Sequence, residues 1–379
     1  MPYQLTDEQQ LVRSSVREFA EAEIKPLAAG LDRDHKPPTE IIPRLAEMGI
    51  LGMTIPQEYG GSWSGHLSLA LTLEEIARCC ATTAVMVEVH GSLCSEIISH
   101  WGNEEQKQHY LPKLASGEII GAFCLTEPQA GSDAGTLATS AKQDGDSWVI
   151  NGQKIFITNA DFAGVFLLFV RTSDKPGTKG ISAFLVDKDT PGLEIGAPER
   201  KMGLRGSSTC PLRFVDMRVP ASAMLGEEGQ GFKVAMSGLD SGRVGIAAQA
   251  LGIAQAAYEE AVAYAKQRVQ FGAPLASLQG IQWMIADMRT DLEAGRLLVY
   301  QAADLADRGL PYSQEASIAK LYCAQLANRT TDTAVQIHGG LGFIEGITVE
   351  RLYRDCRITR IYEGTDEVQR LVIARNELR

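Results

Sequence analysis

The chain changes its hydrophobic rhythm twice, and this constrains the fold more than any single motif. Up to about residue 118, apolar side chains recur with the period of amphipathic helices. From Gly121 to Gly226, short apolar runs alternate with turn residues, as β-strands do, and the helical period returns after Gly231. The order predicts a mainly α protein with an inserted β domain: an N-terminal helical domain at 1–118, a middle β domain at 119–228 and a C-terminal four-helix bundle domain at 229–379.

Local signals place the helices. Thr6 and Gln9 have the spacing of a capping box, so a helix should begin next to Thr6. A glycine-rich break at 60–65 precedes a second helical run from Leu67 to Cys80. In the last third, four helical segments with short connections predict an antiparallel bundle, at 243–267, 278–308, 314–337 and from Gly364 onward.

The middle stretch carries strand and turn signals. Asn151-Gly152 stands inside Ser147–Ile157, and Asn-Gly between apolar runs is the strongest short hairpin signal, so a hairpin is predicted there. Two apolar segments, Gly164–Val170 and Gly180–Val186, predict two further strands.

Composition excludes several classes of partner. The chain has 36 basic and 47 acidic residues and a net charge of -11, so nucleic acid is not an expected partner. No apolar run is long enough to cross a bilayer, so no membrane partner is expected either. The seven cysteines are scattered and the six histidines share no ligand spacing. Reduced thiols, a cytoplasmic location and no metal site are therefore expected.

Two stretches could carry chemistry. Residues 122–135 are either a strand that ends in a turn, or a loop whose N–H groups and hydroxyls surround a polar ligand. Glu363 stands between Tyr362 and Gly364, just before a predicted helix. It is either a mildly stabilising acid near a helix N-terminus or a base aimed at a ligand. A third candidate, Gly340-Leu341-Gly342, fails as a dinucleotide fingerprint because its spacing is wrong and a helix precedes it.

Five separated motifs together resemble the acyl-CoA dehydrogenase family. They are Thr126-Glu127-Pro128-x-Ala130-Gly131-Ser132-Asp133, Asn151-Gly152-x-Lys154 leading to Thr158, Arg268-x-x-Phe271-Gly272, Gln336-Ile337-x-Gly339-Gly340, and Ile361-Tyr362-Glu363-Gly364-Thr365. They occur in the family's order and span nearly the whole chain. Residues 204–209 and 239–247 look most like the short-chain (butyryl-CoA) branch.

The resemblance implies FAD as the cofactor and assigns roles by position. Phe123 to Ser132 would line the flavin, with Thr126 near the pyrimidine edge. Phe156, where many members have Trp, would pack on the flavin face, and Thr158 would bond near N5. Arg268 would meet the pyrophosphate of a neighbouring subunit's FAD, a task that suits its planar fork. The implied cofactor-binding residues are Phe123, Leu125, Thr126, Gly131, Ser132, Phe156, Ile157, Thr158, Arg268, Phe271, Gln279, Gln336, Gly339, Gly340, Thr365 and Glu367.

The resemblance also implies a substrate side. Asp240 and Arg243 would face the CoA thioester arm, although two opposite charges at i, i+3 could equally form a plain surface pair. Arg268 has a similar plain alternative, a cation at a helix C-terminus. The implied substrate-binding residues are Ser132, Asp240, Arg243, Tyr362 and Gly364.

Glu363 would be the catalytic base that removes the α-proton, since an acyl chain that expels water raises the pKa of a carboxyl group. The family holds the thioester oxygen with the base's own N–H and a flavin ribityl hydroxyl. In the isovaleryl-type branch the base stands at the position of Gly242, which has no side chain to serve. The implied reaction is α,β-desaturation of an acyl-CoA to the trans-2-enoyl-CoA.

The resemblance further implies an electron-transferring flavoprotein as electron acceptor, and a homo-oligomer that is expected to be a tetramer. Two alternatives stay open. One is a flavin oxidase or monooxygenase of the same fold that reacts with oxygen. The other is a non-catalytic acyl-CoA-binding protein, which the intact Glu363 argues against.

Overall fold

The computed structural model describes residues 4–175 and 177–378. The N-terminal part is helical and begins as expected, because the Thr6 hydroxyl and the Gln9 side chain cap each other's backbone N–H groups. Its α-helices are α1 (Asp7–Phe19), α2 (Lys25–Asp34), α3 (Ile42–Glu47), α4 (His66–Cys79), α5 (Ala81–His90), α6 (Glu96–Trp101) and α7 (Glu104–Ala115).

The middle part is a single β-sheet. Its strands are β1 (Gly121–Cys124), β2 (Ser140–Asp144), β3 (Ser147–Thr158), β4 (Val165–Arg171), β5 (Ile181–Asp187), β6 (Leu193–Ile195), β7 (Thr209–Pro220) and β8 (Met224–Leu225). The strand order is β6-β7-β3-β2-β4-β5-β8, and β1 pairs in parallel with β4. Apolar side chains of β4 and β5 pack on α6 and α7, which fixes the sheet against the N-terminal helices.

The prediction of a hairpin at Asn151-Gly152 is wrong. One continuous strand, β3, passes through this point, and the turn lies earlier, at Gly145 with φ +60°. The Asn151 amide instead pairs with Asp216 of β7, at 3.0 Å and 2.9 Å, where the register between the two strands shifts. The Gly152 backbone adopts φ +145° at this bulge. Asn-Gly suits a bulge as well as a turn, because both need a backbone conformation that glycine tolerates.

The C-terminal part is helical, as predicted, but the described residues form five helices there where four were expected. After α8 (Gly231–Gln267) comes a short ribbon of β9 (Val269–Gln270) and β10 (Ala273–Pro274). The remaining helices are α9 (Gln279–Asp307), α10 (Ser313–His338), α11 (Thr348–Cys356) and α12 (Asp366–Glu377). The central stretch of the long α8, residues 241–257, is buried. The helix packs on α4, α9, α10 and α11, so it joins the two helical parts of the molecule.

Two absences hold for the described residues. No helix there is both long and apolar enough to cross a membrane. No group of three or more histidine, cysteine, aspartate or glutamate side chains there could hold a metal ion.

Candidate active site

Glu363 lies in the loop before α12, outside the helix. The cap of α12 is Thr365, whose hydroxyl accepts a hydrogen bond from the Val368 N–H at 3.3 Å. The acids in the first helical turn are Asp366 and Glu367. The interpretation of Glu363 as a stabilising helix-start acid therefore does not fit its position.

The loop at Glu363 has a strained backbone, and buried side chains fix it by hydrogen bonds. Glu363 has φ +51°, a conformation that side-chain-bearing residues rarely adopt, and Gly364 follows with φ +95°. The buried Gln369 amide donates to the carbonyl oxygens of Glu363 and Gly364, at 3.2 Å and 3.0 Å. The Lys320 ammonium donates to the Gly364 carbonyl at 2.6 Å. Strain maintained by buried donors points to a functional position.

The Glu363 carboxylate points into the protein against α8. Its Oε2 is buried and meets no donor with hydrogen-bond geometry among the described residues. A Cβ added to Gly242 of α8 would overlap this oxygen, so the glycine leaves the space that the carboxylate fills. Burial raises the pKa of Glu363, while contact with Glu88 and the charges of Lys320 and Arg243 oppose that rise.

Lys320 is a site residue that the sequence analysis did not identify. It stands on α10, is fully buried, and reaches the loop through its ammonium group. Burial lowers its pKa to about 8, although the charges of Asp366 and Glu363 oppose that shift. The positive charge of Lys320 therefore lies close to the carboxylate that it helps to keep ionised.

Asp240 and Arg243 form an ion pair, but not the plain surface pair that their spacing allowed. Arg243 Nη1 donates to Asp240 Oδ1 at 2.6 Å, and the Ser313 hydroxyl donates to the same oxygen at 3.0 Å. Arg243 is only 7% exposed, and its Nε has no hydrogen-bond partner among the described residues. The charge of Arg243 acts on Glu363 and lowers the pKa of that carboxyl group. A buried guanidinium that keeps an N–H without a partner suits a polar substrate group.

The loop of residues 125–132 is fixed by a buried ion pair. The ammonium group of Lys154 on β3 donates to the Leu125 carbonyl at 3.0 Å and to Glu127 Oε1 at 2.7 Å. Glu127 also accepts the Ala138 and Thr139 N–H groups, so all of its charge is compensated. These two buried residues hold the backbone of the motif. The Thr126 side chain is left half-buried, and Gly131 and Ser132 are exposed.

Phe156 presents an aromatic ring to the surface of the β domain. It is 60% exposed, has φ +59°, and is followed by the buried Ile157 and the half-buried Thr158. Phe123 of β1 packs on Phe169 of β4 with ring centroids 4.9 Å apart. An open aromatic face beside a polar loop fits a planar, partly polar cofactor such as a flavin.

A second group of predicted cofactor residues lies at the helix ends of the bundle. Arg268 caps the C-terminus of α8, and its exposed guanidinium has no ion-pair partner in the described ranges. Phe271, in the ribbon, is 95% exposed and has φ +51°. Gln279, Gln336, Gly339 and Gly340 are exposed as well. Within residues 4–175 and 177–378, no hydrogen bond or ion pair joins this group to Glu363 or to the 125–132 loop.

The remaining predicted residues have more local partners. Thr365 caps α12, and Glu367 lies exposed beside Arg370 at 3.7 Å. The Tyr362 hydroxyl donates to Gln249, whose amide in turn donates to the Ala81 carbonyl at 2.8 Å. Tyr362 thus ties the Glu363 loop to the start of α5.

Three further residues at the site were missed by sequence reasoning: Glu88, Lys320 and Gln369. Each is fully buried in the structure. Glu88 and Lys320 had a usable signal, because each is a single charge inside an otherwise apolar helical run. Gln369 gave no signal, since an amide one turn into a helix is ordinary.

The chain matches family models along nearly its whole length. The N-terminal, middle and C-terminal domain models of acyl-CoA dehydrogenase match residues 6–118, 122–217 and 229–378. The chain therefore belongs to the acyl-CoA dehydrogenase family, a family of FAD-dependent oxidoreductases.

Individual relatives are similar over their full length. The "Acyl-CoA dehydrogenase, short-chain specific" of Clostridium acetobutylicum is 51% identical over 374 residues, which is 99% of each chain. Butyryl-CoA dehydrogenase from Megasphaera elsdenii has a TM-score of 0.97 and 44% identity, with all of both chains covered. A chain from a structural study of the electron transferring flavoprotein of Acidaminococcus fermentans and flavin-based electron bifurcation has a TM-score of 0.98 and 44% identity, again over both whole chains.

Proposed function

We propose that this acyl-CoA dehydrogenase desaturates short-chain acyl-CoA at the α,β bond, with Glu363 as the base. The observation that carries the proposal is the Glu363 carboxylate itself. It sits on a strained loop held by Gln369 and Lys320, and its Oε2 is buried without a donor in residues 4–175 and 177–378. A buried carboxylate with a raised pKa suits proton abstraction from a weak carbon acid.

The reaction balances in two hydrogen transfers. The α-hydrogen leaves as a proton to Glu363, and its electron pair becomes the new α,β double bond. The β-hydrogen leaves with its electron pair. When bound, FAD supplies the acceptor for that hydride. The organic product is the trans-2-enoyl-CoA, and Glu363 ends the step protonated.

The backbone at Glu363 can also polarise the thioester. No acceptor for the Glu363 N–H is found among the described residues, so this donor is free for a ligand oxygen. Negative charge develops on the thioester oxygen as the α-proton leaves, and a fixed N–H stabilises it most at that stage. The positive φ of Glu363 would thus aim the N–H at the thioester oxygen and the carboxylate at the neighbouring α-carbon.

We propose FAD contacts in two groups. In the first, Phe123, Leu125, Thr126, Gly131, Ser132, Phe156, Ile157 and Thr158 would hold the ring and, at Ser132, also the CoA. In the second, Arg268, Phe271, Gln279, Gln336, Gly339 and Gly340 would hold the pyrophosphate and adenine of a neighbouring subunit's FAD. Two observations support these assignments: the Phe156 ring is exposed, and the exposed Arg268 guanidinium has no ion-pair partner in the part of the chain that the structure describes. Asp240, Arg243, Tyr362 and Gly364 would face the acyl-CoA.

The second group supports a homo-oligomer, proposed to be a tetramer. Several large apolar side chains in the same segments are exposed in the single chain: Phe271, Trp283, Leu341, Phe343 and Ile344. A surface of that kind suits contact with a second copy.

An electron-transferring flavoprotein is the proposed electron acceptor. A cytoplasmic location is proposed because all seven cysteines are free thiols. Domain boundaries at 1–118, 119–228 and 229–379 follow the change between helix and sheet.

The test is an anaerobic titration of the FAD-loaded protein with acyl-CoAs of increasing chain length. We expect the visible flavin absorbance to bleach with butyryl-CoA and neighbouring lengths. Glu105→Gln changes an exposed acid on α7 and controls for the loss of one carboxylate in the glutamate variants described below. It should bleach as wild type does. Absence of bleaching with every acyl-CoA would end the proposal, and rapid re-oxidation by oxygen alone, without a carrier, would favour the oxidase alternative.

A further inference from the structure

A second carboxyl group lies against Glu363 and is not part of the reaction described above. Glu88, on α5, is fully buried, and neither of its oxygens meets a donor with hydrogen-bond geometry in the described chain. A buried ionised carboxylate without a donor is costly, since nothing replaces the water that it has lost. A native structure keeps such a group only where another arrangement satisfies it.

Glu88 and Glu363 pack on neighbouring positions of one helix face. A Cβ added to Gly245 of α8 would lie 2.8 Å from Glu88 Cγ and 3.2 Å from its Oε1. A Cβ added to Gly242 would overlap Glu363 Oε2. Positions i and i+3 of a helix have Cβ atoms about 5–6 Å apart, so the two glycines leave one continuous space that the two carboxyl groups share.

The position of Glu88 is fixed from both sides of α5. The buried Asn159 amide donates to the Met86 carbonyl and the Gly121 carbonyl, each at 3.2 Å, which ties α5 to the β domain. The Gln249 amide donates to the Ala81 carbonyl at 2.8 Å and ties the start of α5 to α8. The α5 backbone that carries Glu88 therefore cannot move away from α8 without breaking buried hydrogen bonds.

We propose that Glu88 carries a proton that it donates to Glu363, and that it acts as the positioning residue that keeps Glu363 ionised and oriented as the base. One shared proton pairs one Glu88 oxygen with Glu363 Oε2, which are two of the three oxygens left without a donor among the described residues. Two carboxylates packed together in one buried space could not both remain ionised. This inference deepens the proposed function and rests on Glu363 being the base.

The surrounding charges decide which acid holds the proton. Lys320 on α10 and Arg243 on α8 face Glu363, and both favour its ionised form. Glu88 faces the Ser92 hydroxyl and the acid Glu96 of α6, and the charges that act on it most, those of Glu363 and Glu96, are both negative. Burial, the charge of Glu363 and the contact with it raise the pKa of Glu88 well above its ordinary range. Glu88 is therefore the neutral partner.

Two variants separate donation of a hydrogen bond from filling of space. Glu88→Gln keeps an N–H donor of the same shape, whereas Glu88→Leu keeps much of the volume and has no donor. The measurement is the acid limb of the kcat/KM pH profile of the FAD-loaded enzyme with butyryl-CoA. A hydrogen bond to a charged group is strong enough that its loss should move the Glu363 pKa up by about one to two units in Glu88→Leu. Glu88→Gln should leave the limb close to wild type.

Two outcomes would overturn the proposal. An acid limb that is unchanged in Glu88→Leu means that Glu88 does not act on Glu363. An acid limb that moves to lower pH in both variants means that Glu88 was ionised and repelled Glu363. Glu105→Gln controls for the loss of one acid elsewhere.

A stability measurement tests the shared proton without catalysis. Because the folded-state pKa of Glu88 is raised, the stability linked to it is full below the unfolded value and is lost as pH rises towards the folded value. Glu88→Gln removes this loss. The ratio of its folding equilibrium constant to that of wild type should therefore rise about tenfold per pH unit above roughly pH 4.5. A wild-type-to-variant difference that stays constant with pH would refute the shared proton. If wild type oxidises no acyl-CoA, the proposed function fails, while this comparison still tests the pair.

Discussion

Replacing Gly242 with alanine should separate rate from stability. The added Cβ would overlap Glu363 Oε2, and would lie 3.2 Å from Glu363 Cδ and 3.0 Å from Leu93 Cδ2. Normal carbon contacts are wider than this, so the carboxylate has to retreat by on the order of 1 Å. A misplacement of about 1 Å at a reacting group can cost about 10²-fold in rate.

The same change should cost little stability. The overlapping atom is the end of a flexible side chain, and alanine is favoured over glycine inside a helix by roughly 0.5–1 kcal/mol. We therefore expect unchanged FAD content, a thermal midpoint equal to or slightly above wild type, and flavin reduction by butyryl-CoA slowed about 10²-fold. Stopped-flow absorbance and a thermal melt on the same preparation measure both quantities.

Gly30→Ala is the matched control. Gly30 lies in α2, and a Cβ there would have only the Arg33 guanidinium near it, at 3.8 Å. It should show the helix gain without the rate loss. Wild-type flavin reduction in Gly242→Ala, or a large loss of stability with it, would refute the packing of Glu363 against α8.

Three further outcomes are expected. Arg268→Ala should lose FAD on gel filtration while the acid limb of its reconstituted activity stays in place; unchanged flavin content would remove Arg268 from the cofactor site. Burial alone would lower the pKa of His66, but hydrogen bonds to Asp307 and Glu96 at 3.1 Å outweigh it and raise the pKa to about 9. The stability advantage of wild type over His66→Gln should then be full at about pH 6 and fade as pH rises through 9, and a pH-independent gap in melting temperature would contradict this. Butyryl-CoA should be a good substrate and neighbouring lengths should still react, because a pocket discriminates by only about 1–3 kcal/mol per methylene; turnover confined to long chains would overturn the short-chain placement.

The sequence was sufficient to predict the layout of the fold, because the helical and strand periods differ and their boundaries carry caps and turns. The capping box at Thr6 and the long helices of the bundle follow from local signals that the structure retains. The Asn151-Gly152 turn failed for a non-local reason. The partner that makes it a bulge, Asp216, lies on another strand, and nothing near Asn151 in the sequence reveals that pairing.

The candidate site, like the fold, was predictable from the sequence only in part. Glu363 and the 125–132 loop were identifiable because their motifs are contiguous. The residues that set the chemistry of Glu363 come from α5, α8 and α10, which only the folded chain brings together. Glu88 and Lys320 have no motif of their own, and their importance follows from what they contact.

The most direct test of the central claim is the rate of flavin reduction in Glu363→Gln. The amide keeps the shape of the side chain and cannot accept the α-proton, so FAD and acyl-CoA binding should persist. Loss of a general base costs about 10²–10⁴-fold, and a proton this weakly acidic should place the loss at the upper end of that range. Anaerobic stopped-flow reduction by butyryl-CoA, at matched flavin content, gives the number. A rate that falls by orders of magnitude in a normally folded, FAD-loaded variant supports Glu363 as the base, and a rate close to wild type would contradict it.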